Sequence, residues 1–184
     1  MYKICQTEQS SRRQRELEQG LLLFMSKRRY EDISVSDLCA FLGVPRKCFY
    51  RYFSGKDGAL YALLDHTMMD FQMSTPHDSP GTALEDIDRY FQFWYDHKPL
   101  LDALQRSGLS GILVERATGF ALQERMIPQH MQSWNSQLQG IAMSFAICGL
   151  MSMVMQWHRQ NFPLSPREMT RLAASLLSTP LLPL

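Results

Sequence analysis

The chain has 184 residues, enough for one or two small domains with a real core, and its 45% hydrophobic content excludes a disordered chain. Net charge is only +1, but eleven Lys/Arg face seven Asp/Glu in residues 1–60, and eight face eleven beyond. A basic N-terminal third on a mildly acidic body suits a polyanionic partner at one end only.

No strand-like alternation and no internal repeat is visible, and the chain reads as all-α. A first helix starts at Ser10 or Ser11 and runs to about Lys27, with Leu17, Leu21 and Phe24 on one stripe. Two short helices follow between Ile33 and Phe53. Ser34 or Ser36 can cap the first of them, Leu38 and Leu42 share its apolar face, and Gly43 ends it in a left-handed turn. Cys39 is small enough for two steeply crossing helices to meet beside it. Pro45 opens the second short helix, which buries Phe49 and Phe53 and turns Arg46, Lys47, Tyr50, Arg51 and Tyr52 outward in varying degree. Two hinged helices, the second basic and aromatic, are the pattern of a helix-turn-helix that enters a DNA major groove; an ordinary hairpin with a solvated face is the plainer alternative.

A fourth helix spans about Gly55 to Met73, and the turn-rich segment 74–81 is a linker. Helices are then expected over Thr82–His97, from Pro99 to near Gly108, and from Leu109 to Met126. A long one follows over Gln129–Gln160, and the last begins at Ser165-Pro166-Arg167-Glu168, a capping box, and runs to about Leu177. Between Arg125 and Arg159 the chain holds no Asp, Glu, Lys or Arg. Asn135, Gln137, Gln139, Ser144, Ser152 and Gln156 argue against a membrane span there and for a helix buried in a core or interface.

The four cysteines (Cys5, Cys39, Cys48, Cys148) form no CxxC pair and no metal-ligand spacing, which fits free thiols in a reducing cytoplasm. The N-terminal run lacks the apolar core of a signal peptide. No GxSxG, HExxH, GxGxxG or P-loop is present, so neither an enzyme nor a metal or other cofactor is expected. His66 and Asp70 share a helix face but are two ligands at most.

The run Tyr30, Ser34-Val35-Ser36-Asp37-Leu38-Cys39, Leu42-Gly43-Val44, Phe49-Tyr50, Tyr52-Phe53 and Gly55-Lys56-Asp57 resembles the TetR family of bacterial transcriptional regulators. The resemblance covers residues 10 to 65. It implies a helix-turn-helix DNA-binding domain (1–55), then a helical effector-binding and dimerisation domain (56–184), and usually repression relieved by a small molecule. Pro45 and Lys47 stand where the family often has Ser or Thr and Gly, so Lys47 must reach phosphates with its side chain. Cys48 replaces a common Thr or Ser. Carried over by position, Ser34 and Ser36 would contact phosphates, Arg46, Lys47 and Cys48 would face base edges or phosphates, Tyr50 and Tyr52 would reach the DNA backbone, and Lys56 would bind a phosphate.

The body would hold an apolar effector pocket, lined by Met68, Phe71, Phe91, Trp94, Tyr95, Leu104, Leu113 and Phe120, with His97 or Arg116 as polar contact. The same stripes also read as plain core. The last two helices would pair with those of a second copy in a four-helix bundle. Such a homodimer would hold two reading helices about 34–36 Å apart over an inverted-repeat operator. The competing reading is an all-α small-molecule-binding protein or enzyme whose helix-turn-helix is only structural.

Overall fold

A computed structural model describes residues 1–74, 82–123 and 131–178. The linker 75–81, the end of the helix expected to reach Met126 and the start expected at Gln129 lie outside them. The described residues form α1 (Glu8–Met25), a 3-10 turn (Tyr30–Asp32), α2 (Val35–Leu42), α3 (Arg46–Tyr50), α4 (Lys56–Met73), α5 (Ala83–Asp96), α6 (Lys98–Arg106), α7 (Ser110–Gln123), α8 (Ser136–Arg159) and α9 (Pro166–Ser178). One antiparallel bridge, Tyr2 to Phe53, is the sole β feature among them.

Local chemistry sets most of the ends. The α1 cap is Thr7, whose hydroxyl accepts from Ser10 N, so α1 starts before the expected Ser10 or Ser11. Ser34 caps α2 and exchanges hydrogen bonds with Asp37 in a full capping box. Thr82 and Glu85 repeat that arrangement at α5, and Ser165 and Glu168 at α9. Asn135 caps α8, which therefore begins at Ser136; residues 131–134 just before it are not α-helical. Three helices end in a Schellman turn. At α2, Gly43 has φ 64 and Val44 N–H reaches Cys39 O; at α6, Gly108 has φ 68 and Leu109 N–H reaches Leu104 O. The third turn closes α8 without glycine: Asn161 and Phe162 take φ 60 and 54, while Phe162 N–H bonds Trp157 O. The Phe162 ring sits 4.5 Å from the Trp157 ring, and that contact offsets the strain of a left-handed aromatic residue.

The chain forms two compact units, cut differently from the expected division at residues 55 and 56. One comprises Met1–Met68 with Asp102–Ala117, the other Met69–Leu101 with Thr118–Leu184. The first has a core of Leu17, Leu21, Leu38, Phe49, Phe53, Leu60 and Leu64, each at most 2% exposed. Gly20 lets α2 press against α1, since a Cβ there would meet Leu42 Cδ2 at 2.3 Å. An N-terminal strap closes this unit. Lys3 N–H bonds Tyr52 O, Ser54 N–H bonds Met1 O, and Gln14 Nε2 bonds Lys3 O. The Tyr2 hydroxyl donates to Asp65, which also forms a two-pronged ion pair with Arg116. Glu18 is fully buried and its carboxylate meets His66 Nδ1 at 2.8 Å. Near α6, Ser107 Oγ accepts from Tyr30 N–H, and Arg106 donates to the carbonyls of Met25 and Ser26.

In the second unit α5 packs along α9, with Thr170 donating to Asp88 at 3.0 Å. An aromatic lattice of Phe71, Tyr90, Phe93 and Trp94 adjoins Phe91, which meets Trp157 edge to face. Helix α8 is long and apolar enough to cross a membrane by length and composition alone. Met143, Met151, Val154, Met155 and Trp157 line its buried side. Its opposite side exposes Leu138, Ile141 and Phe145 at 50%, 62% and 74%. Gly149, Ser152 and Gln156, also exposed, continue that stripe.

Candidate nucleic-acid interface

Helix α3 is only five residues long, shorter than the expected Pro45–Phe53. Pro45 is its N-cap rather than its first helical residue. Beyond Tyr50 the backbone is committed elsewhere, because Tyr52 O and the Tyr2–Phe53 bridge hold the strap. Phe49 is fully buried, which fixes the rotation of α3 against the core. At ~100° per residue, Arg46 and Tyr50 then occupy one flank, Lys47 and Arg51 straddle the outward centre, and Cys48 lies on the other flank.

The predicted contacts separate on inspection. Ser36, Arg46, Lys47 and Tyr50 are exposed and available to a polyanion. The Arg46 guanidinium lies 5.7 Å from the Tyr50 ring centroid and its Nη2 approaches the Tyr50 hydroxyl at 3.5 Å, so the two side chains form a single surface feature. Ser34 is exposed, but its hydroxyl donates to Asp37 and accepts from Asp37 N–H. The hydroxyl bond, and a second from Ser34 N–H, hold the Asp37 carboxyl below its usual range. Cys48 is half-buried. Tyr52, 6% exposed, packs against Phe53 and lines the groove between α1 and α3 rather than standing out on the face with Tyr50.

Lys56 departs furthest from expectation. Its ammonium donates to the carbonyls of Tyr30 (2.8 Å), Glu31 (3.3 Å) and Ile33 (2.8 Å) and lies 4.6 Å from the Tyr30 ring. An ammonium has three N–H donors and all three are engaged, so Lys56 ties the 3-10 turn to α4 and offers no free proton to a phosphate. Tyr30 closes the knot from the other side, its hydroxyl donating to Asp57. Lys56→Ala is therefore expected to lower the stability of the reading head by about 1–2 kcal/mol in urea unfolding. Intact stability with a reduced salt dependence of DNA binding would instead assign Lys56 to a phosphate.

The ten predicted effector contacts divide between the units: Met68, Leu104, Leu113 and Arg116 fall in the first, and Phe71, Phe91, Trp94, Tyr95, His97 and Phe120 in the second. Phe91 and Trp94 are closely packed, 0% and 2% exposed. Tyr95 is at the surface, 44% exposed, because its ring leans outward on Trp157 and Phe162. His97 stacks on Phe93 at 3.9 Å and closes on its own helix through Phe93 O. Arg116 is bound to Asp65. A hollow of about 440 Å³ in the second unit is lined by Ala121, Leu122, Gln132, Gln139 and Met143 among others, all outside the predicted set.

Sequence reasoning missed the strap and the Asp65–Arg116 pair; the one available signal was an acidic side chain inside the apolar face of α4. Among the described residues no three His, Cys, Asp or Glu side chains come together as a metal site.

No protein-family model matches the chain, and no curated protein matches it by sequence. Solved structures do match. One is the fatty acid degradation regulator FadR from Bacillus halodurans, at TM-score 0.62 and 13% identity over 91% of this chain and 95% of that one. Another is a TetR-family transcriptional regulator from Streptomyces coelicolor, at TM-score 0.56 and 20% identity over 91% of this chain and 80% of that one. The chain therefore has the all-α fold of a TetR-family transcriptional regulator.

Proposed function

We propose that the protein is a sequence-specific DNA-binding transcriptional regulator, a homodimeric repressor in the cytoplasm whose operator binding is controlled by a small molecule. The observation that carries this reading is the rigidly capped α2–turn–α3 unit, which presents Arg46, Lys47 and Tyr50 together on an exposed face. The fold shared with two regulators supports it. A mobility shift with DNA flanking the protein's own gene, which should contain an inverted repeat, tests it; failure to shift any such fragment would favour the reading as a small-molecule-binding protein or enzyme.

Roles within the face follow from charge geometry. A guanidinium can grip guanine O6 and N7 together, and Arg46 is braced by Tyr50, so it takes the base contact. Lys47 is an exposed point charge and takes a phosphate. Arg46→Ala is expected to relax selectivity at one operator position by about 1–3 kcal/mol while sparing random-DNA binding. Lys47→Ala should weaken all sequences alike and flatten the log–log salt dependence by roughly one unit per site. Equal proportional losses on operator and random DNA for Arg46→Ala would reduce Arg46 to a phosphate clamp.

The stripe of Leu138, Ile141 and Phe145 on α8, with exposed Leu172 and Leu176 on α9, supports a second copy of the chain as its cover. Effector sensing belongs to the helical body, where Phe71 and Phe120 are half-buried and Phe91 and Trp94 serve as packed core.

A further inference from the structure

The flank of α3 opposite Arg46 and Tyr50 opens on a groove of about 510 Å³, walled by the first turns of α1 and by Cys48, Arg51 and Tyr52. Its charge is lopsided. Arg12, Arg13 and Arg51 line it against a single carboxylate, Glu16. Glu16 is shared, meeting Arg13 Nη1 at 2.7 Å and Arg12 Nε at 3.5 Å. Arg13 and Cys48 share this lining, which links the cluster to α3. The Arg12 side chain is 83% exposed, and Arg51 makes no ion pair among the described residues.

These residues are poorly explained as structural glue. Exposed ion pairs contribute little to stability, and none of the three arginines supports the core. Their position relative to α3 explains them better. With Lys47 pointing to the floor of a major groove, the helix flanks face the two sugar-phosphate walls. The Cys48 flank is the one continued by α1, with Arg51 at its outer edge, so the wall on that side runs along the groove.

Resting on the DNA-binding reading above, we propose that this groove is a second anchor for the DNA backbone, in which Arg12, Arg13 and Arg51 take phosphates beside the segment read by α3 and Glu16 holds the first two arginines until a phosphate displaces it. Glu16 thereby weakens backbone binding on any sequence, because every duplex must break its two ion pairs to reach the arginines. The groove adds affinity without sequence information, and Glu16 sets how much of that affinity any duplex receives.

The test uses the full chain and a short random-sequence duplex, with anisotropy read across a salt series. Arg12→Ala and Arg51→Ala should each reduce the log–log salt slope by about 0.9 for every phosphate left without its arginine. Glu16→Gln should raise random-DNA affinity by roughly two- to fivefold, the effect of releasing its two weak, exposed ion pairs. Lys47→Ala is the internal control for α3, and matching circular dichroism shows that the exposed substitutions leave the fold alone. If Lys47→Ala lowers the slope while the arginine variants and Glu16→Gln leave slope and affinity unchanged, the groove is no anchor and the DNA-binding reading stands. If the unaltered chain binds neither this duplex nor DNA flanking its own gene, both are overturned.

Discussion

Gly149→Arg is expected to leave a folded monomer that no longer binds an operator. Gly149 is exposed near the middle of α8, and a Cβ built on it meets nothing within 4 Å, so the larger side chain fits the isolated protein. Replacing a mid-helix glycine also favours the helix by about 0.5–1 kcal/mol. Any loss of association then comes from the surface it faces. In the proposed four-helix bundle that surface is the partner's apolar stripe, where an unpaired guanidinium would be stripped of water at a cost of several kcal/mol. Light scattering at micromolar concentration should change from dimer to monomer, and specific binding should vanish with it, since one reading helix makes half the contacts. A variant that stays dimeric would move the interface off this stripe. A wild-type chain that is monomeric at that concentration would remove the bundle altogether.

Asp65→Ala should strongly destabilise the first unit, costing about 2–3 kcal/mol. The carboxylate is nearly buried, with its side chain 9% exposed, and it receives both the Arg116 guanidinium and the Tyr2 hydroxyl. Removing it strands both donors; the loss falls below the full range for a buried pair because Arg116 keeps 36% of its side-chain surface in water. Urea unfolding measures it, and a loss within error of zero would show that water replaces the carboxylate. Alkali gives an independent check. Burial first, and then the bond to Asp65, push the Tyr2 phenol above its ordinary value of 10.0; burial and Asp57 do the same to Tyr30. A raised folded pKa stabilises fully below the unfolded value and is lost as pH rises through the folded one. Stability should therefore hold up to about pH 10 and then decline by as much as about 1.4 kcal/mol per pH unit per tyrosine. Tyr2→Phe and Tyr30→Phe, which do not titrate, should decline less steeply.

Local chemistry was legible in the sequence, and long-range chemistry was not. The α2–α3 unit could be read because its signals, a Ser34 or Ser36 cap and the left-handed Gly43, act within a few residues; the return bond of Asp37 to Ser34 came only with the structure. The capping box of α9 was readable for the same reason. Periodicity marked much of the core, including Leu17, Leu21, Phe49 and Phe53, because it records which face is buried. It does not record which polar group ends beside which. Lys56 looked like a phosphate ligand by position, and only the folded path of residues 30–33 reveals that three carbonyls converge on it. The strap left no periodic trace at all, since Tyr2 and Asp65 are 63 residues apart. The groove of Arg12, Arg13 and Arg51 unites two helices whose charges looked unrelated in sequence.

The division of the chain bears on synthesis and truncation. The first unit takes its last segment from residues 102–117, so a nascent chain that has delivered only the helix-turn-helix cannot complete it. Until α6 and α7 emerge, Tyr30 N–H lacks Ser107, the end of α1 lacks Arg106, and Asp65 lacks Arg116. A fragment cut after α4 would retain every residue of the reading helix and still lack these three closures. The compact unit that carries α2 and α3 is discontinuous in sequence, and a fragment meant to hold it whole must extend to residue 117.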